Sequence, residues 1–299
     1  MSVLTAIRSR TGAGPTGDVK EYVLKRAAEF TMVPAAAMKA MEIGRNPACS
    51  VKEYSGAIER DVRLTADILS MANSSLYASG APAATLHDAV RRLGLRRCQG
   101  LILSTCTAAL MRSLPFDQAR RREALWQHGY MTAVICRHLN ETLRLGFSGE
   151  EFTAGLMHDL GRSLLVATVP DLCAEVDADP SKPPAMRLER ERSVLGTDHC
   201  ELGAAFGTRN GLPAQLVAAI QHHHAPEQAG EHQTLCSLIA TADQFAHQLE
   251  NSQLAAAGEL AGMHAIPFLA ETARVQQALS GVTPAFATQT FAEARRLIA

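Results

Sequence analysis

The stretch FTAGLMHDLGRSLL, residues 152–165, places a histidine and an aspartate side by side within an otherwise apolar segment. Leucines recur at four-residue intervals from Leu156, and this spacing predicts a helix that turns one face toward a core. His158 and Asp159 interrupt the apolar pattern. Because buried polar groups are costly without partners, we expect these two side chains either to bind a metal ion or to hydrogen-bond to each other and to the backbone.

The composition is that of a globular protein with little overall charge. Of the 299 residues, 47% are hydrophobic and 20% are charged, and the length allows one large domain or two smaller ones. The formal net charge is -1, so no global field attracts nucleic acid or an anionic membrane. We therefore expect no membrane partner. Nucleic acid is disfavoured as well, because SSLYASGAPA is a poor match to the tight turn of a helix-turn-helix between Thr65 and Arg97.

The seven cysteines are scattered along the chain without a C-x-x-C pair. This pattern argues against a zinc ribbon or a thioredoxin-type site. The N-terminal MSVLTAIRSRTGAG lacks the apolar stretch of a signal peptide, and no apolar run reaches the length of about 18 residues that a membrane span needs. A reducing, cytoplasmic location is therefore expected.

Signals for helices recur along the chain, whereas strand-like alternation is scarce. Ser50 and Glu53 form a Ser-x-x-Glu capping box at the start of one helix, and a similar box is predicted from Ser148 to Glu151. Aromatic residues make up only 5% of the chain, and there is no repeat of fixed period. The sequence therefore predicts an all-α protein, in the form of a two-lobed helical bundle.

A break at SLPFD, residues 113–117, divides this bundle into an N-terminal helical half and a second half that holds most of the histidines. Four segments are expected along the chain. They are a flexible N-terminal arm over 1–17, the N-terminal helical half over 18–117, the histidine-rich half over 118–250, and C-terminal helices packed on that second half over 251–299.

Histidines and aspartates on several separate predicted helices are candidates for a metal site. They are His128, His158 with Asp159 beside it, His199, His223, His224 and Asp243. A helical bundle can direct one side chain from each of several helices into a shared cavity. Imidazole nitrogens with aspartate oxygens suit zinc, iron, manganese or nickel better than calcium. Spacing alone leaves open whether these side chains converge or form separate hydrogen bonds.

The other histidines are expected outside this set. Polar or weakly patterned surroundings favour surface positions for His138, His232, His247 and His264. His222 lies about 100° around its helix from His223. The three consecutive histidines that begin at His222 are therefore not all expected to face one site.

The order His128, then His158–Asp159, then Asp243 resembles the H…HD…D arrangement of HD-domain metal phosphohydrolases. Further blocks narrow the resemblance to the HDOD family. ERDVRLTADILSMANSSLYA followed by TLHDAVRRLGLRR is similar to the family's N-terminal half. LWQHGYMTAVICRHL, AGLMHDLGRSLL, VLGTDHCELGAAF and GLPAQLVAAIQHHHAPE are similar to its second half. The resemblance covers roughly residues 20–228, and the blocks follow the family's order.

The resemblance implies a bacterial, all-helical protein of signalling and regulation, in a family often regarded as non-enzymatic relatives of HD hydrolases. The second half would then be an HD-like core with one or two divalent ions of iron, manganese, zinc or nickel. Carried over to this chain, a first ion would be held by His128, His158, Asp159 and Asp243. A second ion, bridged by Asp159, would be held by His199, His223 and His224.

Three departures from the related HD-GYP phosphodiesterases, which cleave cyclic di-GMP, count against catalysis. Arg162 stands where their pattern has a lysine, and its planar guanidinium does not substitute for a compact ammonium. Ala124 stands where a site for three metals would have a glutamate, and Glu123 is one position away on another face of the helix. APEQAG follows His224 in place of a GYP-like loop.

Two functions stay open at this point. The first is a regulatory interaction or ligand-sensing module, whose N-terminal helical half and the groove between halves bind a partner protein or a signalling ligand. The second is a metal-dependent phosphohydrolase or phosphodiesterase acting on a nucleotide or cyclic dinucleotide, in which Asp159 and Arg162 would be catalytic. Family precedent favours the regulator over the enzyme. We therefore expect a signalling partner protein, with a nucleotide or phosphate as the alternative ligand.

Overall fold

The computed structural model describes residues 17–30, 33–44, 46, 48–74, 77, 81–115, 119–177, 184–252 and 272–298. Within these residues all regular secondary structure is helical, so the all-α prediction is confirmed. None of these helices is both long and apolar enough to cross a membrane, and all seven cysteines are free thiols. The predicted segment boundaries stay predictions. Residues 1–16 of the expected arm and His264 lie outside the described residues.

The helices fall into an earlier and a later group along the chain. The earlier group comprises α1 (Gly17–Ala27), α2 (Ala35–Gly44), α3 (Val51–Ile58), α4 (Val62–Ala72), α5 (Leu86–Leu93) and α6 (Leu95–Ser113). The later group comprises α7 (Ala119–Leu143), α8 (Glu150–Met157), α9 (Leu160–Thr168), α10 (Pro170–Val176), α11 (Pro184–Leu195), α12 (His199–Arg209), α13 (Ala214–His222), α14 (Gln233–Ser252), α15 (Thr272–Leu279) and α16 (Pro284–Ile298). Two 3-10 helices, Pro226–Gln228 and Gly230–His232, precede α14.

Helix α6 is the buried helix of the earlier group, and it packs against α2, α4 and α5. The predicted capping box at the start of α3 is confirmed. Ser50 Oγ accepts a hydrogen bond from the Glu53 amide at 3.1 Å, and Glu53 Oε2 accepts one from the Ser50 amide at 3.3 Å. These two bonds satisfy amides that have no partner within the helix, and they fix where α3 begins.

Helix α7 is the centre of the later group, and it packs against α8, α14, α15 and α16. Its Trp126 and Tyr130 are fully buried in the core. The indole N–H of Trp126 donates to the Ala294 carbonyl at 2.8 Å, which holds α16 against α7. Arg112 on α6 donates to the Leu297 carbonyl at 2.8 Å. Helix α16 therefore contacts both groups of helices.

The predicted single helix over residues 152–165 is wrong, because the chain turns at His158 and Asp159. Helix α8 ends at Met157 and α9 begins at Leu160. The His158 ring donates from Nδ1 to the Gly155 carbonyl oxygen at 2.7 Å. In a continuous helix that oxygen would accept from the amide four residues later, so the side chain competes with the helical hydrogen bond. The leucines of the pattern are nevertheless buried as predicted.

The capping box predicted from Ser148 to Glu151 is also wrong. Gly149 is the N-cap residue of α8, and the helix has no hydrogen bond from an N-cap side chain to the amides of its first turn. The carboxylate of Glu151 is buried and accepts from the Gly149 amide at 2.7 Å and from Asn140 Nδ2 at 3.1 Å. Glu151 therefore ties the start of α8 to the end of α7 rather than closing a box with Ser148.

Helices α9 and α12 approach so closely that their backbones touch at Gly161. A Cβ atom at Gly161 would overlap the His199 carbonyl oxygen and would lie 2.7 Å from the Gly203 nitrogen. Only glycine leaves room for this contact. Because Asp159 precedes α9 and His199 begins α12, the contact brings these two side chains to the same place.

We predict that Gly161→Ala lowers the free energy of unfolding by about 1–3 kcal/mol, because the methyl group forces α9 and α12 apart. Urea unfolding followed by circular dichroism measures the change. Gly56→Ala on α3 is the matched control, since nothing lies within 4 Å of a Cβ there. The control should be stabilised by about 0.5–1 kcal/mol through the loss of glycine's backbone freedom. Equal stability of Gly161→Ala and the wild type would show that the helices separate at no cost.

Candidate metal centre

The residues predicted as metal ligands come together in the interior of the later group of helices. They are His128 on α7, His158 and Asp159 in the turn between α8 and α9, His199 at the start of α12, His223 and His224 at the end of α13, and Asp243 on α14. All of them are buried except Asp159 and His224, which are half-buried. The folded chain thus gathers all seven of these side chains into one cluster.

Asp159 lies between the imidazole rings at one end of this cluster. Its Oδ1 atom is 3.3 Å from Nε2 of His199 and 3.7 Å from Nε2 of His223, while Oδ2 is 3.9 Å from Nε2 of His158. Burial opposes ionisation, but the charges of His158, His199 and Arg162 hold the pKa of Asp159 well below its usual range. Asp159 is therefore a carboxylate that two neighbouring ions could share.

Three histidines are held by their Nδ1 atoms, so that Nε2 is left for another partner. His158 and His223 donate from Nδ1 to the carbonyl oxygens of Gly155 and Ile220, at 2.7 and 3.0 Å. His199 Nδ1 lies 2.7 Å from a buried Glu191 carboxylate oxygen, which also accepts from the His199 amide at 2.8 Å. Since these oxygens accept, each Nδ1 carries a hydrogen, and Nε2 is the atom that each ring would offer to a metal. Burial lowers the pKa of His199, but Cys200 and Glu191 outweigh it and hold that pKa well above its usual value, so His199 must lose a proton to bind.

The Nε2 atoms of His158, His199 and His223 have no hydrogen-bond partner, and all three are shielded from solvent. An unpaired polar atom at such depth costs free energy, and three beside one carboxylate call for a shared partner. A cation that displaces the protons of these rings is the partner that suits imidazole nitrogens together with carboxylate oxygens. The residues therefore fit a divalent ion.

His128 and Asp243 form the other end of the cluster. Nε2 of His128 lies 2.9 Å from Asp243 Oδ1, and Nδ1 lies 2.9 Å from Glu250 Oε1. Burial disfavours a charged ring, but the hydrogen bonds to Asp243 and Glu250 outweigh it and raise the pKa of His128 to about 10. In the metal-free protein His128 is thus an imidazolium between two carboxylates, and it must lose a proton to bind a metal.

His223 and His224 are in the protonation state that a metal ligand requires. Burial and the charge of His199 lower the pKa of His224 to about 4. Burial, with His224 and His158 close by, also holds the pKa of His223 well below its usual value. The His224 ring centroid is 4.1 Å from that of His223 and 5.2 Å from that of His199. These three neighbouring rings match the set that the resemblance implies for a second ion.

Four further residues join the cluster without having been predicted. They are Glu191, Cys200, His247 and Glu250. The expected surface position of His247 is wrong, because its side chain is only 29% exposed and its Nε2 lies 3.4 Å from Asp243 Oδ1. It is also wrong for His138, which is half-buried and donates from Nε2 to the Ala278 carbonyl oxygen at 2.8 Å, and for His232, which is 26% exposed. A spacing of four residues from Asp243 on one helix could have indicated His247. No comparable signal marks Glu191, whose contact with His199 depends on how the chain turns between α11 and α12.

Cys200 lies beside His199 and is buried. Four possible ligand atoms, one from each of Cys200, His199, His223 and His224, lie within 4.8 Å of one another. Burial raises the pKa of the Cys200 thiol, which keeps it protonated in the metal-free protein. Sequence reasoning gave it no role, although its place in TDHCELG next to a candidate ligand was a signal.

Arg162 lies against the cluster rather than in solvent. Its Nη1 atom is 3.6 Å from Asp159 Oδ2, and its Nη2 atom is 3.6 Å from Asp177 Oδ1. Ala124 is exposed, and Glu123 turns away to Gln127 and Arg295. Helix α7 therefore supplies no glutamate to the cluster, as the sequence indicates.

Comparison with known proteins identifies the family. A family model for the HDOD domain matches residues 30–226. An uncharacterised protein of Treponema pallidum is 28% identical over 219 residues, which are 71% of this chain and 41% of that protein. Ribonuclease Y of Deinococcus radiodurans is 29% identical over 146 residues, which are 48% of this chain and 19% of that protein. The chain thus spans less than half the length of these curated relatives.

Solved structures share the fold. An HDOD domain protein of unknown function from Geobacter sulfurreducens has a TM-score of 0.72 at 20% identity, over 93% of this chain and 98% of that one. A protein of Shewanella amazonensis SB2B, provisionally named a phosphohydrolase, has a TM-score of 0.68 at 24% identity with the same coverage. A protein of Marinobacter aquaeolei VT8, provisionally named a signal transduction protein, has a TM-score of 0.68 at 21% identity, over 99% of this chain and 65% of that one.

We predict that the metal-free protein loses stability as the pH rises through the alkaline range. His128 has a pKa of about 10 when folded and 6.5 as its ordinary value. The charge of His128 therefore contributes its full share to the free energy of unfolding below pH 6.5. This share is lost as the pH approaches 10, and it amounts to at most about 1.4 kcal/mol for each unit of difference between the two pKa values. Urea unfolding in the presence of a chelator measures this.

The variant His128→Gln should reduce the slope of the profile between these two pH values, and Glu250→Gln should reduce it less. His199, whose pKa is also held well above its usual value, should keep part of the slope in both variants. A profile for His128→Gln that runs parallel to that of the wild type would contradict the assignment of the charge to His128.

Proposed function

Because the chain belongs to the HDOD family, we propose that it is a regulatory protein that senses a ligand or a partner protein through a helical core built around a divalent-metal centre. The observation that carries this role is the set of three buried Nε2 atoms, from His158, His199 and His223, that lie near Asp159 without hydrogen-bond partners. Since a cation would satisfy all three at once, the core is suited to hold one or two ions of zinc, iron, manganese or nickel.

The ligands divide between two ends of the cluster. A first ion would be held by His128, His158, Asp159 and Asp243. A second would be held by His199, His223 and His224, with Asp159 shared between the ions. Glu191 would keep His199 in the tautomer that binds, as carboxylates commonly do behind metal-bound histidines.

Burial supports regulation over catalysis. The three unpaired Nε2 atoms are shielded from solvent, and the side chains of Asp159 and Asp243 are only 11% and 8% exposed. These three atoms could contact an ion that lies among them, and they offer no exposed surface to a nucleotide. The centre is therefore better placed to stabilise the core than to receive a substrate.

A cavity at the ends of α8 and α13 that lie away from His158 and His223 offers a place for a ligand or a partner segment. It has a volume of about 430 Å³ and lies between α2 and α6 on one side and α8 and α13 on the other. Arg96, Gln99, Glu150 and Gln215 give it polar walls. This volume is within the range of small-molecule sites. Helices α8 and α13 line the cavity and end next to His158 and His223, so an occupant would act on the two segments that carry these ligands.

Metal content is the decisive measurement. Tag-free protein should contain one or two equivalents of zinc, iron, manganese or nickel by plasma mass spectrometry. His158→Ala and Asp159→Ala should lose metal, whereas the control His232→Ala should retain it. Chelation should destabilise the wild type, by about 2.7 kcal/mol when compared with free metal at about 100 times the Kd. A protein that neither contains metal nor takes it up on addition would rule out the centre.

A metal-dependent phosphohydrolase is the second candidate, and Arg162 is the observation in its favour. Its guanidinium lies 3.6 Å from Asp159 and could stabilise the charge of a phosphate beside the centre. A divalent ion, when bound, would supply Lewis-acid polarisation of a phosphoryl oxygen. Arg162 would have to leave Asp177 to reach such a substrate. The names of the Shewanella protein and of ribonuclease Y point to the same class of chemistry.

The regulatory role predicts that metal-loaded protein does not hydrolyse bis(p-nitrophenyl) phosphate or cyclic di-GMP. Release of p-nitrophenol and separation of the nucleotides by chromatography measure the two reactions. Turnover that disappears in Arg162→Ala, while that variant keeps its metal, would favour the hydrolase instead. Asp159→Ala serves as the inactive control in either case.

A further inference from the structure

Cys200 lies among the three imidazoles proposed to hold the second ion. Its possible ligand atom is within 4.8 Å of one from each of His199, His223 and His224. Among the described residues it is the one cysteine that joins a group of possible metal ligands, although six other free thiols are present. The resemblance to HD proteins gives Cys200 no role.

Two imidazole nitrogens in this group lack any other partner. Nε2 of His199 and Nε2 of His223 make no hydrogen bond, and the two side chains are only 2% and 0% exposed. Buried polar atoms of native proteins are ordinarily paired. Two unpaired nitrogens in one group therefore point to an ion that binds several members of the group at once.

The three rings are spaced as the ligands of one ion would be. Their centroids are 5.2 Å apart for His199 and His224, 5.5 Å for His199 and His223, and 4.1 Å for His223 and His224. Bonds of about 2.0–2.1 Å from two imidazole nitrogens to one zinc ion, at a near-tetrahedral angle, place such centroids roughly 5 Å apart. The rings are inclined to one another by 88°, 44° and 45°, so none of the three pairs is stacked face to face.

The sulfur of Cys200 needs only a small movement to join these nitrogens. A zinc ion with a sulfur bond of about 2.3 Å draws its ligand atoms to roughly 3–4 Å from one another, which is about 1 Å closer than the limit of 4.8 Å observed here. Cys200 also lies in the first turn of α12, where the helix dipole favours a negative charge. The position therefore suits a thiolate.

We propose that Cys200 is a further ligand of the second ion, bound as a thiolate beside the three imidazoles already assigned to it. The proposal rests on the proposed function, because this ion belongs to the proposed centre. On binding, the thiol releases its proton to solvent, and a lone pair of the sulfur forms the bond to the ion.

A thiolate ligand makes the two positions of the centre different in their choice of metal. Sulfur favours zinc, whereas manganese prefers oxygen ligands. The first position contains no sulfur, since its proposed ligands are His128, His158, Asp159 and Asp243. The second ion would have four protein ligands besides the shared Asp159, which leaves no open coordination position for a substrate. Its coordination would be that of a structural ion, in agreement with a regulatory core.

Cobalt(II) titration of metal-free, tag-free protein tests this ligand, because a thiolate bound to cobalt gives a near-ultraviolet charge-transfer band that nitrogen and oxygen ligands do not give. The wild type should show the band and Cys200→Ser should lose it. Calorimetry should find zinc bound at least about tenfold less tightly by Cys200→Ser, since even a residue behind a ligand contributes about 10- to 100-fold. Cys173→Ser is the matched control, because Cys173 is 5% exposed and Cys200 is 6% exposed, and Cys173 joins no group of possible ligands among the described residues.

X-ray absorption at the zinc edge tests the same ligand without a variant, and so it decides the question even if Cys200→Ser does not fold. Wild-type protein loaded with one equivalent of zinc should show a sulfur atom about 2.3 Å from the metal, beside lighter atoms at about 2.0–2.1 Å. His158→Ala changes only the ligands of the first ion and should keep the cobalt band. Circular dichroism confirms that each variant is folded.

Metal binding without the charge-transfer band, and without sulfur near the zinc, would overturn the role of Cys200 while leaving the proposed centre intact. An unchanged band in folded Cys200→Ser would also overturn it, because the sulfur ligand would then be another cysteine. Loss of the band in folded His158→Ala would contradict it as well, since all four ligands are unchanged there. A wild-type protein that binds neither cobalt nor zinc would remove the proposed centre together with this ligand.

Discussion

The core of this protein depends on balancing buried carboxylates with positive charge. Asp159 and Asp243 lie among helices, away from water, and burial alone would favour their neutral forms. Both nevertheless keep pKa values well below their usual range because imidazoles surround them and Arg162 lies beside Asp159. The helices that carry these rings must therefore meet at one place. The close contact of α9 and α12 at Gly161 and the turn after α8 both help to bring these side chains together.

The imidazole rings are oriented before any ion binds. Backbone carbonyl oxygens fix His158 and His223, and a buried carboxylate fixes His199. Each anchor comes from the same helix as its ring or from the segment directly before it, so local structure sets the tautomer. An arrangement prepared in this way loses little conformational freedom on binding an ion.

The sequence was sufficient for the helical class and for seven residues of the cluster, because residue type and order along the chain carry that information. It was insufficient for Glu191 and Glu250, since a glutamate on a helix is ordinarily a solvated residue until a neighbouring segment covers it. The break at His158 was also hidden. The leucine spacing continues across it, and only the hydrogen bond to Gly155 reveals that the backbone turns. The missed features thus depend on contacts between helices or on the path of the backbone.

The cavity between α2, α6, α8 and α13 has a consequence for the proposed regulation, because two of the helices that line it end at histidines that we propose bind metal. If an occupant changes the affinity of the core for its ion, thermodynamic linkage requires the ion to change the affinity for the occupant by the same factor. The response of such a core would depend on the concentrations of the ion and of the occupant together, rather than on either one alone. Metal supply in the cell would then set the threshold at which the other signal is read.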